Sequence, residues 1–539
     1  YTGIGDVICS PTKRSSRIPV LSSNSHPGEP LPSITQDQLS IPFQPLLPNS
    51  IERNANFIAV QRVFTLPFSI RIVVDRVMPD DAPSFWKGVK NTFFGKDAPK
   101  PRFSNEEFDA LLQSRSQTFV TKFNQIFDIS SYPSEWQQIA RAGLSNLIAG
   151  VSFFYGDTIQ RTPDGSLRHT HEGSLLTAIP GRSYFPRGFL WDEGFHQLVV
   201  ARWNRSLSEA ILSSWLGRME PSVVLAGRLI VGYIEREQIL GEEARAQVPA
   251  EFIPQNPNIA NPPTLFLAVD FLAGWSSQTI EIDASGMAKE PSISDASLWK
   301  WLSYLMSSQA SELESSFRWF GRTERHCLAS GFDDYPRHRI ISDKESHVDL
   351  LAWIVYALDV VDRHHLGVGD EPRSLLNRLR PHLLEKHWDA SKHCFGDLGV
   401  IRQSEGKDEI GFETHVGYVS ILPFALMLMD VDDPRIPEIL DIIEDPNQVC
   451  VLLASHCVAV GEYGLRSLAK NDEFFGVDED YWRGNVWVNI NYLVLRALHE
   501  KYGKEGPAAE RCMRVYSALR ENLVRNVMEQ VRQLSFCDE

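Results

Sequence analysis

From about residue 104 the apolar residues change spacing, from every second position to every third or fourth, and the helical spacing then persists. Phe108, Leu112, Phe119, Phe123 and Ile126 form one stripe, and Trp136, Ile139, Gly143, Leu147 and Val151 the next. Further amphipathic runs follow at about 193–216, 296–308, 347–364, 416–429, 486–501 and 508–531, so strands are expected to be nearly absent here. Stripes of this kind are buried by setting helix against helix. The connecting loops carry Gly, Pro, Asp and aromatic residues, which suggests a barrel of helical hairpins whose loop ends form a pocket. No fixed repeat period is present.

The segment before this change reads differently. Residues 1–50 are rich in Pro and Ser and are expected to form a loop-rich or disordered arm. In 51–80, Phe68, Ile70, Ile72 and Val74 alternate with Ser69, Arg71 and Val73, which predicts a small β element. Inside the helical region, "PSVVLAGRLIV" at 221–231 is an apolar patch in a polar connection, readable as a buried strand or helix turn.

Composition narrows the partners. The 539 residues carry a net charge of −16, which argues against a nucleic-acid partner, because phosphate backbones need a basic face. A neutral polar substrate such as a sugar fits better. The seven cysteines contain no CxxC pair, so neither a zinc site nor a disulfide framework is legible, and no metal or cofactor is implied. Asn204-Arg205-Ser206 is the single glycosylation sequon, placing Asn204 as the candidate acceptor. No apolar run approaches the ~18 residues of a membrane span, and "YTGIGDVICSPTKRSS" lacks the apolar core of a signal peptide, so no anchor is expected within these residues.

Four clusters combine aromatics with carboxylates and arginines. In "SYFPRGFLWDEGFH", Arg187, Trp191, Asp192, Glu193 and His196 suit a sugar: aromatic faces stack on its C–H surface while acids and arginines bind hydroxyls. Asp192 and Glu193 also suit a helix N-terminus. In "ASGFDDYPRHR", one of Asp333 and Asp334 can face a pocket while the other caps a helix or binds Arg337. In "KESHVDLLAWIVYALDVV", Glu345 and Asp349 are expected one helical turn apart on a single face, with His347 and Trp353 elsewhere on the surface; both acids could instead serve the helix dipole. In "DEDYWRGNVWVNINYLVLRAL", Trp482 and Arg483 precede an apolar stripe and are the better pocket candidates, while Trp487 and Tyr492 can be core. With no GxSxG, Walker loop or strand-bound GxGxxG present, carboxylate acid/base hydrolysis is the remaining sensible chemistry.

In order, "SYFPRGFLWDEGFHQLVVARW", "REQILGEEARAQVPAEF", "NPPTLFLAV", "SGFDDYPR", "ESHVDLLAW", "GYVSILPFALML", "YGLRSL" and "YWRGNVWVNINYLVLRAL" resemble the processing α-glucosidase I enzymes of glycoside hydrolase family 63. The resemblance covers about residues 55–531. It implies a mainly α chain: an (α/α)6 toroid at 104–539, its C-terminal hairpin incomplete, after a remnant of a β-sandwich. It implies removal of the terminal α-1,2-linked glucose of the Glc3Man9GlcNAc2 N-glycan precursor in the endoplasmic reticulum, by a monomer acting on nascent glycoproteins. The mechanism implied is inverting, with a protonated acid and a carboxylate base roughly 6.5–9.5 Å apart. Asp333 corresponds to the acid, which must hold its proton near neutrality. Arg187, Trp191, Asp192, Glu193, Glu237, Gln238, Arg337, Glu345, His347, Asp349, Trp482 and Arg483 match the family's pocket segments.

Three departures accompany the likeness. Most of the sandwich and the membrane anchor have no counterpart here, and 221–231 replaces a short turn. The family's base lies in a "W-E-Q-Y" segment after its "N-V-x-x-Q-Y" helix, whereas this chain reads "NVMEQV" and then "RQLSFCDE". Registering Asn526-Val527 on that helix makes Glu529 an ordinary helical position, so the catalytic base is expected to be missing from these residues. The alternatives are a catalytically impaired glycan-binding homologue and, third, a trehalase-like hydrolase, which "FPRGFLWDEGFH" and "REQILG" disfavour.

Overall fold

A computed structural model describes residues 105–157, 159–161, 165–169, 172–182, 185, 187–218, 259–276, 295–366, 369–404, 407–450 and 463–535. The arm at 1–50, the β element at 51–80, the patch at 221–231 and the pair Glu237 and Gln238 lie outside the described residues. Contacts divide the chain into Tyr1–Thr118 and Phe119–Glu539, and the core and site lie in the second unit.

The described chain is mainly helical. Its helices are α1 (Asn105–Ile126), α2 (Ser134–Ala149), α3 (Leu190–Trp203), α4 (Arg205–Leu216), α5 (Leu265–Ser276) and α6 (Asp295–Ser308). After these come α7 (Val348–Arg363), α8 (Glu371–Lys386), α9 (Tyr418–Ala425), α10 (Ile436–Glu444), α11 (Val488–Ala497) and α12 (Ala509–Ser535). Helix α7 is the centre of the core. Its sequence, VDLLAWIVYALDVVDR, has no charged residue from Leu350 to Leu358 and is buried from Val348 through Leu358, while Asp359, Asp362 and Arg363 reach toward solvent near its end. It packs on α5, α6, α8 and α9, while α9, buried along its whole length, packs in turn on α11. Fully burying each such Leu, Ile or Val stabilises the fold by roughly 1.5–3 kcal/mol.

Three sequence expectations are corrected here. The run at 193–216 is two helices, because Asn204 leaves α3 in an extended conformation and its side chain caps α4 by accepting the Leu207 N–H at 3.1 Å. Helices α5, α8 and α10 escape the sequence reading for different reasons: LFLAVDFLAGWS in α5 is apolar throughout, Pro372 and Pro381 in α8 read as breakers, and α10, although Ile436, Ile439, Leu440 and Ile443 share one face, is short. Strands are also present. Four antiparallel pairs join β1 (Val151–Gly156) to β4 (Gly173–Ala178), β2 (Ile159–Arg161) to β3 (Leu167–His169), β5 (Trp388–Asp389) to β6 (Cys394–Phe395), and β7 (Leu398–Ser404) to β8 (Lys407–Phe412). Strands this short vanish inside a helix-length window.

Candidate active site

The loop that bears the two aspartates is built by local hydrogen bonds. Ser330 Oγ donates to the Cys327 carbonyl at 2.6 Å and accepts the Phe332 N–H at 3.1 Å, while the Cys327 N–H reaches back to the Asp333 carbonyl at 2.7 Å. Gly331 turns the chain at φ 78°, and a Cβ there would stand 2.8 Å from the Trp191 indole. Only glycine meets both demands. Phe332 is then fully buried, edge-on to Trp191 at 5.8 Å and to Trp482 at 5.0 Å.

The fold separates Asp333 from Asp334. Asp334 is 1% exposed, and its carboxylate accepts the backbone N–H groups of Tyr481 at 2.9 Å and Trp482 at 2.5 Å. Its carbonyl takes the Arg483 Nε at 2.7 Å. Asp333 is half-buried, and its charge, with those of Asp192 and Asp334, acts on the Tyr481 phenol. Burial, followed by these carboxylates, raises the Tyr481 pKa above its ordinary value. Tyr481 therefore presents a protonated hydroxyl at neutral pH, on a ring 43% exposed.

Helix α3 supplies the other side. Thr264 Oγ1 donates to the Trp191 carbonyl at 2.7 Å, and Gly194 lets the Thr264 backbone approach so closely that a Cβ would collide with it. Trp191 packs edge-on against Phe195 and Trp353. The half-buried Asp192 is pushed up to about 6, chiefly by burial and against the pull of His196, with Glu193 adding to the rise. Glu193 is buried and inward: it accepts the Ala178 N–H at 3.0 Å and further bonds from Thr177 and Gln197, tying α3 to β4. Burial disfavours a charged His196, but Glu193 at 3.9 Å and Asp192 outweigh it and hold the ring above its ordinary value. Arg187 is half-buried, its guanidinium 5.6 Å from the centre of the Phe189 ring.

Behind the loop lies a buried ionic cluster. Arg337 donates to Asp349 at 2.6 and 3.1 Å and to Asp397 at 2.8 Å, and both charges raise its pKa despite burial. Asp397 also accepts the Val348 N–H at 2.8 Å, at the positive N-terminus of α7, and is held well below the usual carboxylate range against burial, mainly by the Arg337 charge. Arg322 binds Glu345 through both carboxylate oxygens, and that acid is lowered to about 2 although burial opposes it. His347 Nδ1 accepts the Trp319 N–H at 2.8 Å, so its Nε2 hydrogen faces Glu345 Oε2 at 3.2 Å.

These positions differ from the sequence expectation. Glu345 and Asp349 do not share a helical face, because α7 begins at Val348 and each acid binds a different arginine. His347 and Trp353 are buried rather than on the surface. Trp482 and Arg483 are 2% and 4% exposed: Trp482 stacks on Trp487 at 4.1 Å, and Arg483 binds Asp334 and Asp478. Tyr492, readable as core, is 40% exposed. A cavity of about 240 Å³ is lined by Arg325, His326, Asp334, Asp478, Glu479 and Arg483. Asp397 and Arg322 carry much of this geometry without having stood out in the sequence, and Tyr481, part of the fourth aromatic cluster, was not among its pocket candidates. Only the "YW" pair beside Arg483 hinted at Tyr481, and nothing local marked the other two. Among the described residues no cluster could hold a metal, and no helix is long and apolar enough to cross a membrane.

Residues 103–539 match the C-terminal domain of glycosyl hydrolase family 63. The chain belongs to family 63. Among its relatives, a probable mannosyl-oligosaccharide glucosidase of Schizosaccharomyces pombe is 34% identical over 81% of this chain and 60% of its own length. Mannosyl-oligosaccharide glucosidases of Arabidopsis thaliana and Saccharomyces cerevisiae are 30% and 31% identical, over 89% and 81% of this chain and 59% and 58% of their own. The chain thus spans about three-fifths of the length of these curated relatives. Within this family 63 chain the two aspartates of "FDDYPR" hold unlike positions, one inside the protein and one at its half-exposed edge.

Proposed function

We propose that the chain carries the pocket of an exo-α-glucosidase that removes the terminal α-1,2-linked glucose from the Glc3Man9GlcNAc2 N-glycan precursor, with inversion, in the endoplasmic reticulum. The carrying observation is the unequal burial of the two aspartates: Asp334 is 1% exposed with its carboxylate on two backbone amides, whereas Asp333 is only partly buried. In this reading Asp333 gives its proton to the glycosidic oxygen as the C1–O bond breaks. Trp191 faces the sugar ring, and Asp192, Arg187 and Tyr481 bind hydroxyls. Glu193, Arg337, Glu345, His347, Asp349, Trp482 and Arg483, all buried, hold these groups in place. A closed (α/α)6 toroid and a glycan on the exposed Asn204 belong to the same reading.

Water needs a carboxylate base on the opposite face. The exposed Glu529 of α12 has no such setting, and by resemblance the base belongs to the "W-E-Q-Y" segment that these residues lack. A second reading is glycan binding without turnover. An α-1,2-linked glucosyl disaccharide distinguishes the two when assayed with and without sodium azide. Azide is already an anion and attacks C1 without a base, giving a β-glucosyl azide while Asp333 protonates the leaving oxygen. Turnover restored by azide supports the glucosidase; binding with no turnover in either condition supports the second reading and overturns the first.

A further inference from the structure

We propose that Asp334 is a positioning residue, fixing Tyr481–Arg483 against the loop that bears Asp333 and so holding the Tyr481 hydroxyl beside the acid. Its effect on turnover rests on the glucosidase reading above; the clamp itself does not. Asp334 meets three consecutive residues that are 147 to 149 positions away in sequence: the N–H of Tyr481 at 2.9 Å, the N–H of Trp482 at 2.5 Å and the Arg483 Nε at 2.7 Å. The Tyr481 carbonyl is held from the other side, by Trp487 Nε1 at 3.1 Å and Asn485 Nδ2 at 3.2 Å. Its ring stands edge-on to Trp487 at 4.9 Å. With its backbone fixed at both ends and its ring partly exposed, Tyr481 can aim its hydroxyl at a ligand.

The segment before the clamp is a tight turn: Asp478 and Asp480 lie at φ 62° and 48°, left-handed conformations that aspartate adopts more readily than most residues. Arg483 adds a second hold through Asp478 at 2.9 Å and the Val477 carbonyl at 3.1 Å. The clamp also calls for a carboxylate. Two acceptor oxygens serve two amides at once, and the negative charge strengthens both bonds; an asparagine has one acceptor oxygen and no charge. Arg483 Nε, 3.7 Å from the carboxylate, offsets the burial of that charge.

The test uses Asp334→Asn in the 539-residue chain, with Tyr481→Phe as a variant at an exposed ring and Asp333→Asn as control. If Asp334 clamps the segment, the Tyr481 and Trp482 amides exchange hydrogen about ten-fold faster in Asp334→Asn while the melting temperature moves little. If the clamp positions the acid's neighbour, azide-supported kcat on the disaccharide falls about thirty-fold with KM within about three-fold. Tyr481→Phe alone then lowers kcat about ten-fold and adds little to Asp334→Asn, because both remove the same placement. Unchanged exchange overturns the clamp, and faster exchange with unchanged kcat overturns the positioning role. Should Asp334→Asn fail to fold, Tyr481→Phe with unaltered kcat overturns the positioning role, and unusually fast Tyr481 and Trp482 amide exchange in the unsubstituted chain overturns the clamp. Turnover that survives Asp333→Asn, or is absent from the unsubstituted chain, removes the glucosidase reading instead, and the exchange rates then decide the clamp.

Discussion

Arg337 donates to both oxygens of Asp349, at 2.6 and 3.1 Å, four residues after the candidate acid and inside the core. Asp397 accepts from the same guanidinium at 2.8 Å. Removing the cation leaves two buried carboxylates facing one another, so Arg337→Ala should destabilise the protein by about 3–5 kcal/mol. Arg337→Lys should recover only part of this, because an ammonium cannot form the planar pair of hydrogen bonds. Thermal denaturation of the two variants checks both statements.

Asp270 ties three helices together. It accepts from Tyr356 at 3.0 Å, Arg363 at 3.0 Å, His364 at 2.9 Å and Arg496 at 3.2 Å. Burial raises its pKa, but these cations, Arg363 foremost, bring it down to about 2. A depressed folded value means the stabilisation is complete above the unfolded value near 4 and is lost as pH falls through about 2. Its contribution at neutral pH is about 2 kcal/mol. Denaturant midpoints measured from pH 6 down to pH 2 should converge for the unsubstituted chain and Asp270→Asn; a constant gap contradicts the assignment.

Asp192 has the opposite sign. Its folded pKa, raised to about 6 mainly by burial, makes the protonated form native-like, so its contribution is fully present below about 4 and is lost as pH rises through 6. Asp192→Asn should therefore gain melting temperature relative to the unsubstituted chain between pH 4 and pH 7.5. With solvent screening the gain corresponds to about 1–2 kcal/mol. In the proposed pocket the same substitution should weaken binding of glucose, readable by calorimetry.

Gly331→Ala tests the fit between the acid loop and Trp191. A methyl group would stand 2.8 Å from the indole, on a residue at φ 78°. Strain in the left-handed region and the displaced ring together should cost about 1–3 kcal/mol. Azide-supported turnover should fall by more than the loss of folded protein explains.

The candidate site could be marked out in the sequence because its residues are neighbours there. Trp191 and Asp192 sit in one aromatic and acidic run, and "FDDYPR" marked a loop with two candidate acids. What sequence alone could not do was separate Asp333 from Asp334, since the partner of Asp334 is 147 residues away. Burial was hidden for the same reason: Arg337, Glu345, Asp349, Trp482 and Arg483 look like surface chemistry until their distant partners are placed around them. Helix α7 was visible from its long apolar run, whereas α5 and α8 were masked by uniform hydrophobicity and by prolines.

The central claim is that Asp333 donates the proton that frees glucose. Its most direct measurement is proton NMR of an α-1,2-linked glucosyl disaccharide incubated with the chain and sodium azide, beside Asp333→Asn. The account predicts β-glucosyl azide from the unsubstituted chain and at least about a hundred-fold less from Asp333→Asn. Equal product from both, or an α-configured product, contradicts it.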